Sequence, residues 1–318
     1  MISQLRARRR TNLRRLMNPK HIAFVGGSHL ERVVGLCRDN GYAGQMSVIN
    51  PRHEALAGIT CVASADDLDA APDAAFVALS NQLTLEAVQA LAKRGAGGVI
   101  CHATGYGETG GEGMEAQNAL ARAAGEMALI GPNCMGLINA FDNCAMWGEY
   151  TPSQPIDDNG VALISQSGAF LYGVLSAERA FPLGYAASVG NQAVIDSADI
   201  LDAVLDDPRV RAIGIYAEGL RLGADATAVG LETNAGSHFY LVCAGSLSQD
   251  GKTLPPKSLI HVAPDEAAPK LQAGPDGACV LAMRLPRPTD RPGSDPSKLG
   301  GRSEADYHMR PDVVDGAR

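Results

Sequence analysis

Gly131-Pro132-Asn133-Cys134-Met135-Gly136-Leu137-Ile138-Asn139 and Gly160-Val161-Ala162-Leu163-Ile164-Ser165-Gln166-Ser167-Gly168 are the stretches that decide the fold. The first reads as a rigid turn rich in Gly and Asn. The second reads as a buried strand that runs into a Ser/Gly loop, with an apolar helix opening after it. A strand that ends in small hydroxyl residues at a helix N-terminus is an anion cradle. A similar cradle stands at residue 26, where Ile22-Ala23-Phe24-Val25 ends in Gly26-Gly27-Ser28. Two cradles predict two phosphate-bearing groups and nucleotide-like chemistry.

Outward from these stretches, short apolar runs alternate with helical patterns. Strands are predicted at 22–25, 46–49, 74–79, 99–101 and 128–130, and helices at 30–39, 84–94 and 113–125. Glycines close the helices, as at Gly95-Ala96-Gly97-Gly98. Strand–helix alternation implies parallel βαβ units with right-handed crossovers and ligands at the carboxyl ends of the strands. The pattern restarts after a polar, Pro-containing stretch. Strands are predicted at 161–164, 185–189 and 212–216, helices at 169–180 and 196–205, and 239–244 is the next expected strand. The class is α/β: a Rossmann-like parallel domain at 18–140, a linker at 141–159, and a smaller flavodoxin-like α/β domain, incomplete, at 160–245. Ten of the 18 prolines fall after residue 221. Runs such as Leu285-Pro286-Arg287-Pro288 cannot form a core element, so 246–318 is read as an irregular, Pro-rich tail, either genuine or the product of an altered reading frame.

The 318 residues suffice for two ordinary domains, and an apolar content of 46% supports real cores. The net charge of −8 is unevenly spread. Arg6, Arg8, Arg9, Arg10, Arg14, Arg15 and Lys20 give residues 1–20 seven basic groups and no acid, which leaves 20 basic against 35 acidic groups elsewhere. A body this acidic argues against nucleic-acid binding. The basic leader, 1–17, reads as a solvated first helix or as a targeting peptide. No apolar run approaches the roughly 20 residues of a membrane span. The seven scattered cysteines, with no C-x-x-C pair, read as reduced thiols of a cytoplasmic protein. His21, His29, His53, His102 and His308 show no metal-ligand spacing, so no metal site is expected.

The first cradle departs from the dinucleotide fingerprint G-x-G-x-x-G, because Ser28 and Glu31 stand at its second and third glycine positions. The second strand ends in Asn50-Pro51-Arg52 and offers no acid to a ribose hydroxyl. A cationic, acid-free end suits a ribose that carries an extra phosphate. Coenzyme A meets that description and so does NADP, which leaves an NADP-dependent oxidoreductase as an alternative. The plainer reading is a tight strand–helix turn without a ligand.

Asn18-Pro19-Lys20-His21-Ile22-Ala23-Phe24-Val25-Gly26-Gly27-Ser28, Val48-Ile49-Asn50-Pro51-Arg52, Gly105-Tyr106-Gly107-Glu108 and the Gly131–Asn139 block, in this order and spacing, resemble the CoA-binding domain of NDP-forming acyl-CoA synthetases. That family is similar to the α subunit of succinyl-CoA ligase. The resemblance covers about residues 12–221. It implies that Gly26, Gly27 and Ser28 line the CoA phosphate loop, that Asn50, Pro51 and Arg52 flank the adenosine end, and that Gly105, Pro132 and Asn133 sit near the pantetheine thiol. Ser80-Asn81 departs from the family, which commonly shows a Pro there.

The second cradle, Ser165-Gln166-Ser167-Gly168, combines unpaired helix amides, the helix dipole and two hydroxyls; the plainer reading is N-capping by Ser165 or Ser167 alone. The resemblance implies that this loop, with Gly190 and Asn191, seats a phosphohistidine that Glu218 orients. The implied chemistry is a relay: acyl-CoA and phosphate exchange with acyl phosphate and CoA, and the acyl phosphate gives up its phosphoryl group through histidine to ADP or GDP, synthesis of the thioester running in reverse. The family's Ser-His-Thr-Gly or Gly-His-Ala-Gly setting is absent from the chain. His238 is the candidate nucleophile and His261 its alternative, beside plainer readings as a strand-edge and a loop histidine. No ATP-grasp portion is present, so ATP or ADP with Mg would enter through a separate ATP-grasp β-type subunit, and the assembly is expected to be an oligomer acting on a small carboxylic acid. The alternative is a catalytically incomplete CoA-binding protein.

Overall fold

The structure, a computed structural model, describes residues 2–149, 156–176, 182–217, 220–222, 224–229, 238–263 and 266–284. It divides into two compact units, Met1–Glu218 and Gly219–Arg318. The first begins with α1 (Ile2–Met17), β1 (His21–Gly26), α2 (Leu30–Asp39), β2 (Gln45–Ile49), β3 (Ala55–Leu56) and β4 (Ile59–Val62). It continues with β5 (Ala74–Ala78), α3 (Asn81–Arg94), β6 (Gly98–Cys101), α4 (Gly111–Ala124) and β7 (Ala128–Ile130). These strands form one sheet in the order β3-β4-β2-β1-β5-β6-β7, parallel except for the short β3–β4 hairpin. β1, β5, β6 and β7 are buried along their whole length, which is why their sequences read as continuous apolar runs rather than alternating ones.

Period-two alternation still sorts their side chains onto two faces. Ile22, Phe24, Phe76, Ile100 and Ile130 face one core with Leu13, Leu16, Val33 and Val34 of α1 and α2. Ala23, Val25, Ala75, Val77 and Val99 face the other with Val88 and Leu91 of α3 and Leu120 and Ala124 of α4. The expectation of a solvated leader is therefore corrected. Leu13 and Leu16 are fully buried, because two leucines and Met17 suffice for an apolar stripe among six arginines. The arginines project outward and pair with both halves of the unit: Arg15–Asp73 at 3.0 Å, Arg8–Glu126, Arg10–Asp202 at 3.1 Å and Arg14–Asp206.

A second sheet follows from β8 (Gly136–Asn139), β9 (Cys144–Trp147), β10 (Gly160–Ser165), α5 (Gly168–Leu175), β11 (Leu183–Ser188), α6 (Ser197–Leu205) and β12 (Val210–Tyr216). Its order is β12-β10-β11-β8-β9. β10, β11 and β12 run parallel, whereas the β8–β9 hairpin joins β11 antiparallel. The linker expected at 141–159 is corrected over its first part: Cys144–Trp147 is a strand, and Trp147 is fully buried. Set in a polar, Pro-containing stretch with no helix following it, this run is a strand because it pairs antiparallel with β8. Arg209 ties this hairpin to the α6–β12 turn. Its guanidinium meets Asp142 at 2.9 Å and Asp207 at 2.8 Å and lies 4.5 Å from the centre of the Phe141 ring.

The second unit holds β13 (Leu220–Leu222), β14 (Thr227–Val229), β15 (His238–Gln249), β16 (Lys252–Leu254), β17 (Leu259–Val262) and β18 (Lys270–Arg284). They form an antiparallel sheet around the long β15–β18 pair, with Tyr240, Val242, Leu247, Ile260, Val262, Leu271 and Val280 buried. Two expectations are corrected. Residues 239–244 form a strand, but in this sheet and not in the flavodoxin-like one. Residues 246–284 contain four strands or parts of strands and are not irregular; 285–318 lie outside the described residues. The turn-like Gly274-Pro275-Asp276-Gly277 hid β18. Those residues are accommodated where pairing passes from Gly245↔Ala278 to Leu247↔Ala273, a local irregularity of the kind antiparallel pairs absorb. Among the described residues no helix is long and apolar enough to cross a membrane, and no cluster of metal-ligating side chains occurs.

Candidate functional site

The strand order of the first sheet reverses direction at β1, whose neighbours are β2 and β5. The crevice outside the carboxyl ends at such a switch point is where open α/β sheets bind ligands. Gly26 ends β1 there with φ +152, and a Cβ on it would lie 2.6 Å from the Ala78 carbonyl oxygen of β5, so only glycine lets the two strand tips come this close. Ser28 and His29 follow, exposed, before α2. Leu30 and Glu31 donate their amides back to Gly27 and Ser28, while the amides of Ser28 and His29 donate to nothing among the described residues. At the tip of β2, Asn50 is buried and organises the turn. Its Nδ2 donates to the Gly26 carbonyl at 2.6 Å, and its Oδ1 accepts the amides of Arg52 at 2.8 Å and His53 at 3.2 Å. Pro51 and Arg52 are exposed, and the Arg52 guanidinium has no acidic partner among the described residues. The sequence-predicted residues 26–28 and 50–52 are thus brought together, with Asn50 as the joint.

The second group gathers between the two sheets. Gly105 lies in the loop after β6 at φ +89; its carbonyl accepts Asn81 Nδ2 at 2.8 Å, and its amide donates to Glu108 Oε1 at 2.5 Å. The Ser80-Asn81 departure therefore has a use, since Asn81 holds this loop. The turn Gly131-Pro132-Asn133 has a cis peptide before Pro132 and Asn133 at φ 57. Asn133 donates its amide to Ala103 O at 2.8 Å. Gly190, at φ +54, lies so close to this turn that a Cβ would overlap the carbonyl oxygens of Pro132 and Asn133. Asn191 completes the cluster. Its amide N–H donates to Pro132 O at 2.9 Å, and its Nδ2 donates to Gln117 Oε1 at 3.0 Å and to Glu108 Oε2. Gly105, Pro132 and Asn133 therefore share one locus with Gly190 and Asn191. Burial pushes the Glu108 carboxyl up, but the hydrogen bonds from Asn191 and the backbone amides of this loop outweigh it and hold the group below the usual range.

The Ser165–Gly168 loop closes the carboxyl end of β10. The Ser165 hydroxyl is buried and donates to the Ser167 carbonyl at 2.7 Å. Ser167 is the N-cap of α5, its Oγ accepting the Phe170 amide at 3.2 Å; the capping reading holds for this residue. Gln166 donates its amide to Tyr216 O at 3.0 Å. A Cβ on Gly168 would lie 2.7 Å from Met135 Cγ and 3.3 Å from Ser188 Oγ, which itself accepts the Met135 amide. This loop thus abuts the Gly131–Met135 turn through Met135, which lies in the quoted block, and Ser188, which carried no sequence signal. Glu218 lies outside the described residues. His238 opens β15, opposite Val262 and Arg284, and only its backbone is described. His261 lies in β17, exposed, with its ring stacked 4.7 Å from that of Phe239, so its loop reading is corrected to a strand.

Nearby thiols offer no nucleophile at neutral pH. Burial pushes Cys101 up to about 12 and raises Cys134 strongly. Sequence reasoning quoted Glu108 without giving it a role and passed over Gln117 altogether. The carboxylate inside the 105–108 motif was a usable signal for the first; a lone Gln on a helix gives none.

Family models match two successive stretches of the chain: a CoA binding domain at residues 20–140, which takes in the first sheet and β8, and a succinyl-CoA ligase like flavodoxin domain at 158–246, which takes in β10–β12 and reaches into β15. The chain is similar to the ADP-forming acetate–CoA ligase of Methanocaldococcus jannaschii, with 30% identity over 217 residues, 66% of this chain and 30% of that protein. It is similar to subunit alpha of the ADP-forming acetate–CoA ligase II of Pyrococcus furiosus, with 30% identity over 216 residues, 65% of this chain and 46% of that one. Among solved structures, the apo acetyl-coenzyme A synthetase 1 of Ca. Korarchaeum cryptofilum superposes with a TM-score of 0.60 at 29% identity, covering 65% of this chain and 46% of its own. The chain thus spans between 30% and 46% of the length of these relatives. The two domains follow one another here as the sequence resemblance implied, and over them the chain is similar to the ADP-forming acetate–CoA ligases.

Proposed function

We propose that the chain is the CoA-binding, α-type component of an NDP-forming acid–CoA ligase. The overall reaction is acyl-CoA, ADP and phosphate to acid, CoA and ATP, with a small carboxylic acid as substrate. The observation that carries this reading is the switch-point crevice. It joins unpaired amides at Ser28 and His29, a glycine that lets backbone approach closely, and the Arg52 guanidinium without an acidic partner. Backbone amides and a free cation fit a diphosphate beside a ribose phosphate, and the absence of an acid at the tip of β2 suits a phosphorylated ribose. In the direction of ATP synthesis, phosphate would attack the bound thioester and release the CoA thiol, leaving an acyl phosphate; in reverse the thiol would attack the acyl phosphate and release phosphate.

Gly26, Gly27 and Ser28 would hold the diphosphate, and Asn50, Pro51 and Arg52 the adenosine end. The Gly105 loop with Pro132 and Asn133 would hold the thiol end. Ser165, Gln166, Ser167 and Gly168 would seat the phosphoryl group as it leaves for histidine, with Glu218 orienting the ring. His238 is the proposed nucleophile. A neutral imidazole suits that role because it is nucleophilic near pH 7. A nucleotide-binding ATP-grasp subunit would bring ATP or ADP with Mg, in keeping with the relatives named as alpha subunits. A CoA-binding protein without turnover is the second reading, favoured by the missing Ser-His-Thr-Gly setting and by the placement of His238 in an antiparallel sheet.

Titration calorimetry with CoA, 3′-dephospho-CoA and NADP tests the binding claim. Heat with CoA and none with NADP is expected, and Arg52→Ala is expected to weaken CoA more than 3′-dephospho-CoA. No heat with millimolar CoA overturns the reading, and equal losses remove Arg52 from the ribose phosphate. Incubation with a candidate ATP-grasp partner and labelled ATP separates the two readings: acid-labile label on histidine, reduced in Glu218→Gln, favours the ligase component.

A further inference from the structure

Loops from both sheets meet around one carboxylate. Glu108 Oε1 accepts the Gly105 amide, and Glu108 Oε2 accepts Asn191 Nδ2 from a residue 83 positions away. On its far side the Gly105 peptide is held by Asn81, and the same Asn191 amide group reaches Gln117, which takes the Gly107 amide at 3.1 Å. Asn191 also donates its backbone N–H to Pro132. Asn81, Gly105, Glu108 and Gln117 all belong to loops and helices of the first sheet, whereas Asn191 follows β11 of the second. The Glu108 side chain is exposed, so burial does not dictate where it points. Its two oxygens are committed to two different loops.

We propose that Glu108 is a positioning residue: its carboxylate ties the Gly105 loop to Asn191 and thereby fixes the thiol end of the CoA site against the second sheet. The inference rests on the CoA reading above. Hydrogen bonds to an ionised acceptor are about twice as strong as neutral ones, and here both arms hang on the same group. Loss of the carboxylate removes one hold from each loop at once, with Asn81 still on the Gly105 loop and Gln117 and Pro132 still on Asn191. Loss of the Asn191 side chain removes the same link from the other end. Substitutions at the two positions therefore act through one contact and are not additive.

The test is a double-mutant cycle of Glu108→Ala and Asn191→Ala on the full chain, read by amide hydrogen exchange without ligand and by CoA calorimetry. Trp147 fluorescence checks folding. In Glu108→Ala the Gly105 amide and the amides of 191–193 are expected to exchange faster by about tenfold, although the latter lie far away in sequence. CoA is expected to bind about tenfold more weakly, and the double variant no worse than the weaker single one. Glu108→Gln keeps one acceptor oxygen and is expected to fall between wild type and Glu108→Ala; it carries the comparison should the alanine variant fail to fold. Unchanged exchange at 191–193 in the Glu108 variants overturns the proposal, and so does strict additivity. The exchange arm contains no CoA and decides the tether by itself, whereas a wild-type chain that binds no CoA overturns the proposed function instead.

Discussion

Replacing Arg209 by Met should destabilise the first unit at neutral pH and less in acid. In the wild type, Arg209 donates to both oxygens of Asp207, at 2.8 and 3.0 Å, and to both oxygens of Asp142, at 2.9 and 3.2 Å. Tyr185 adds a hydroxyl donor to Asp207 at 2.8 Å. The Arg209 hydrogen bonds, against the opposing effect of burial, hold the Asp207 carboxyl down at about 2 instead of 3.8. At about 1.4 kcal/mol per pH unit, that difference sets an upper bound of roughly 2.5 kcal/mol. The Arg209 side chain retains 31% exposure, so solvent screening reduces the figure to about 1.5 kcal/mol. The contact with Phe141 adds about 0.5–1 kcal/mol that does not depend on pH. A depressed carboxyl stabilises the fold above its unfolded value and loses that stabilisation as pH falls toward its folded value, so about half is gone near pH 3. Arg209→Met is therefore expected to cost roughly 2–2.5 kcal/mol at pH 7 and about 1.5 kcal/mol or less at pH 3. Relief of the repulsion between the two abandoned carboxylates at low pH moves the result in the same direction. Urea unfolding followed by the single tryptophan, Trp147, reads both values. A loss that is equal at the two pH values, or larger in acid, would refute the reasoning.

Gly190→Ala should cost about 1–3 kcal/mol through its positive φ alone, and the overlap with Pro132 and Asn133 should push the turn away and abolish CoA binding; a variant with wild-type melting and CoA affinity contradicts the described turn. Leu16→Ala should destabilise by about 2–5 kcal/mol, whereas Arg8→Gln, which breaks an exposed pair, should change stability by less than about 1 kcal/mol; denaturation curves that rank the two the other way would return α1 to the status of a detachable leader. Iodoacetamide at pH 8 should alkylate the exposed Cys243 in the native chain and leave Cys37 and Cys101 intact, since burial pushes both of these up to about 12; peptide mapping that finds Cys101 modified as fast as Cys243 contradicts the packing of the first sheet.

The parallel strands were legible because burial on both faces leaves unbroken apolar runs, as in Ile22–Val25 and Ala74–Ala78. Helix ends were legible for the same local reason: Gly95 adopts φ +86 where α3 stops. What escaped depends on distant partners. β9 is four residues long and becomes a strand only by pairing with β8. The buried side of α1 rests on two leucines whose partners lie in later strands. β18 carries turn dipeptides that an antiparallel neighbour tolerates at a register shift. At the site, Gly26, Asn50, Gly105 and Pro132-Asn133 could be read because tight backbone geometry demands those residue types. The meeting of Glu108 with Asn191 could not, because a hydrogen bond across 83 residues leaves no trace in local spacing.

The β8–β9 hairpin is encoded across the start of the stretch that looks like the seam between the two α/β halves, yet it completes the sheet that comes after that seam. A recombination crossover or an expression boundary placed there would export two strands with the wrong partner and leave β11 as a raw hydrogen-bonding edge. The halves are best viewed as dovetailed, so that any natural or laboratory exchange of the CoA-binding half must cut ahead of Gly136.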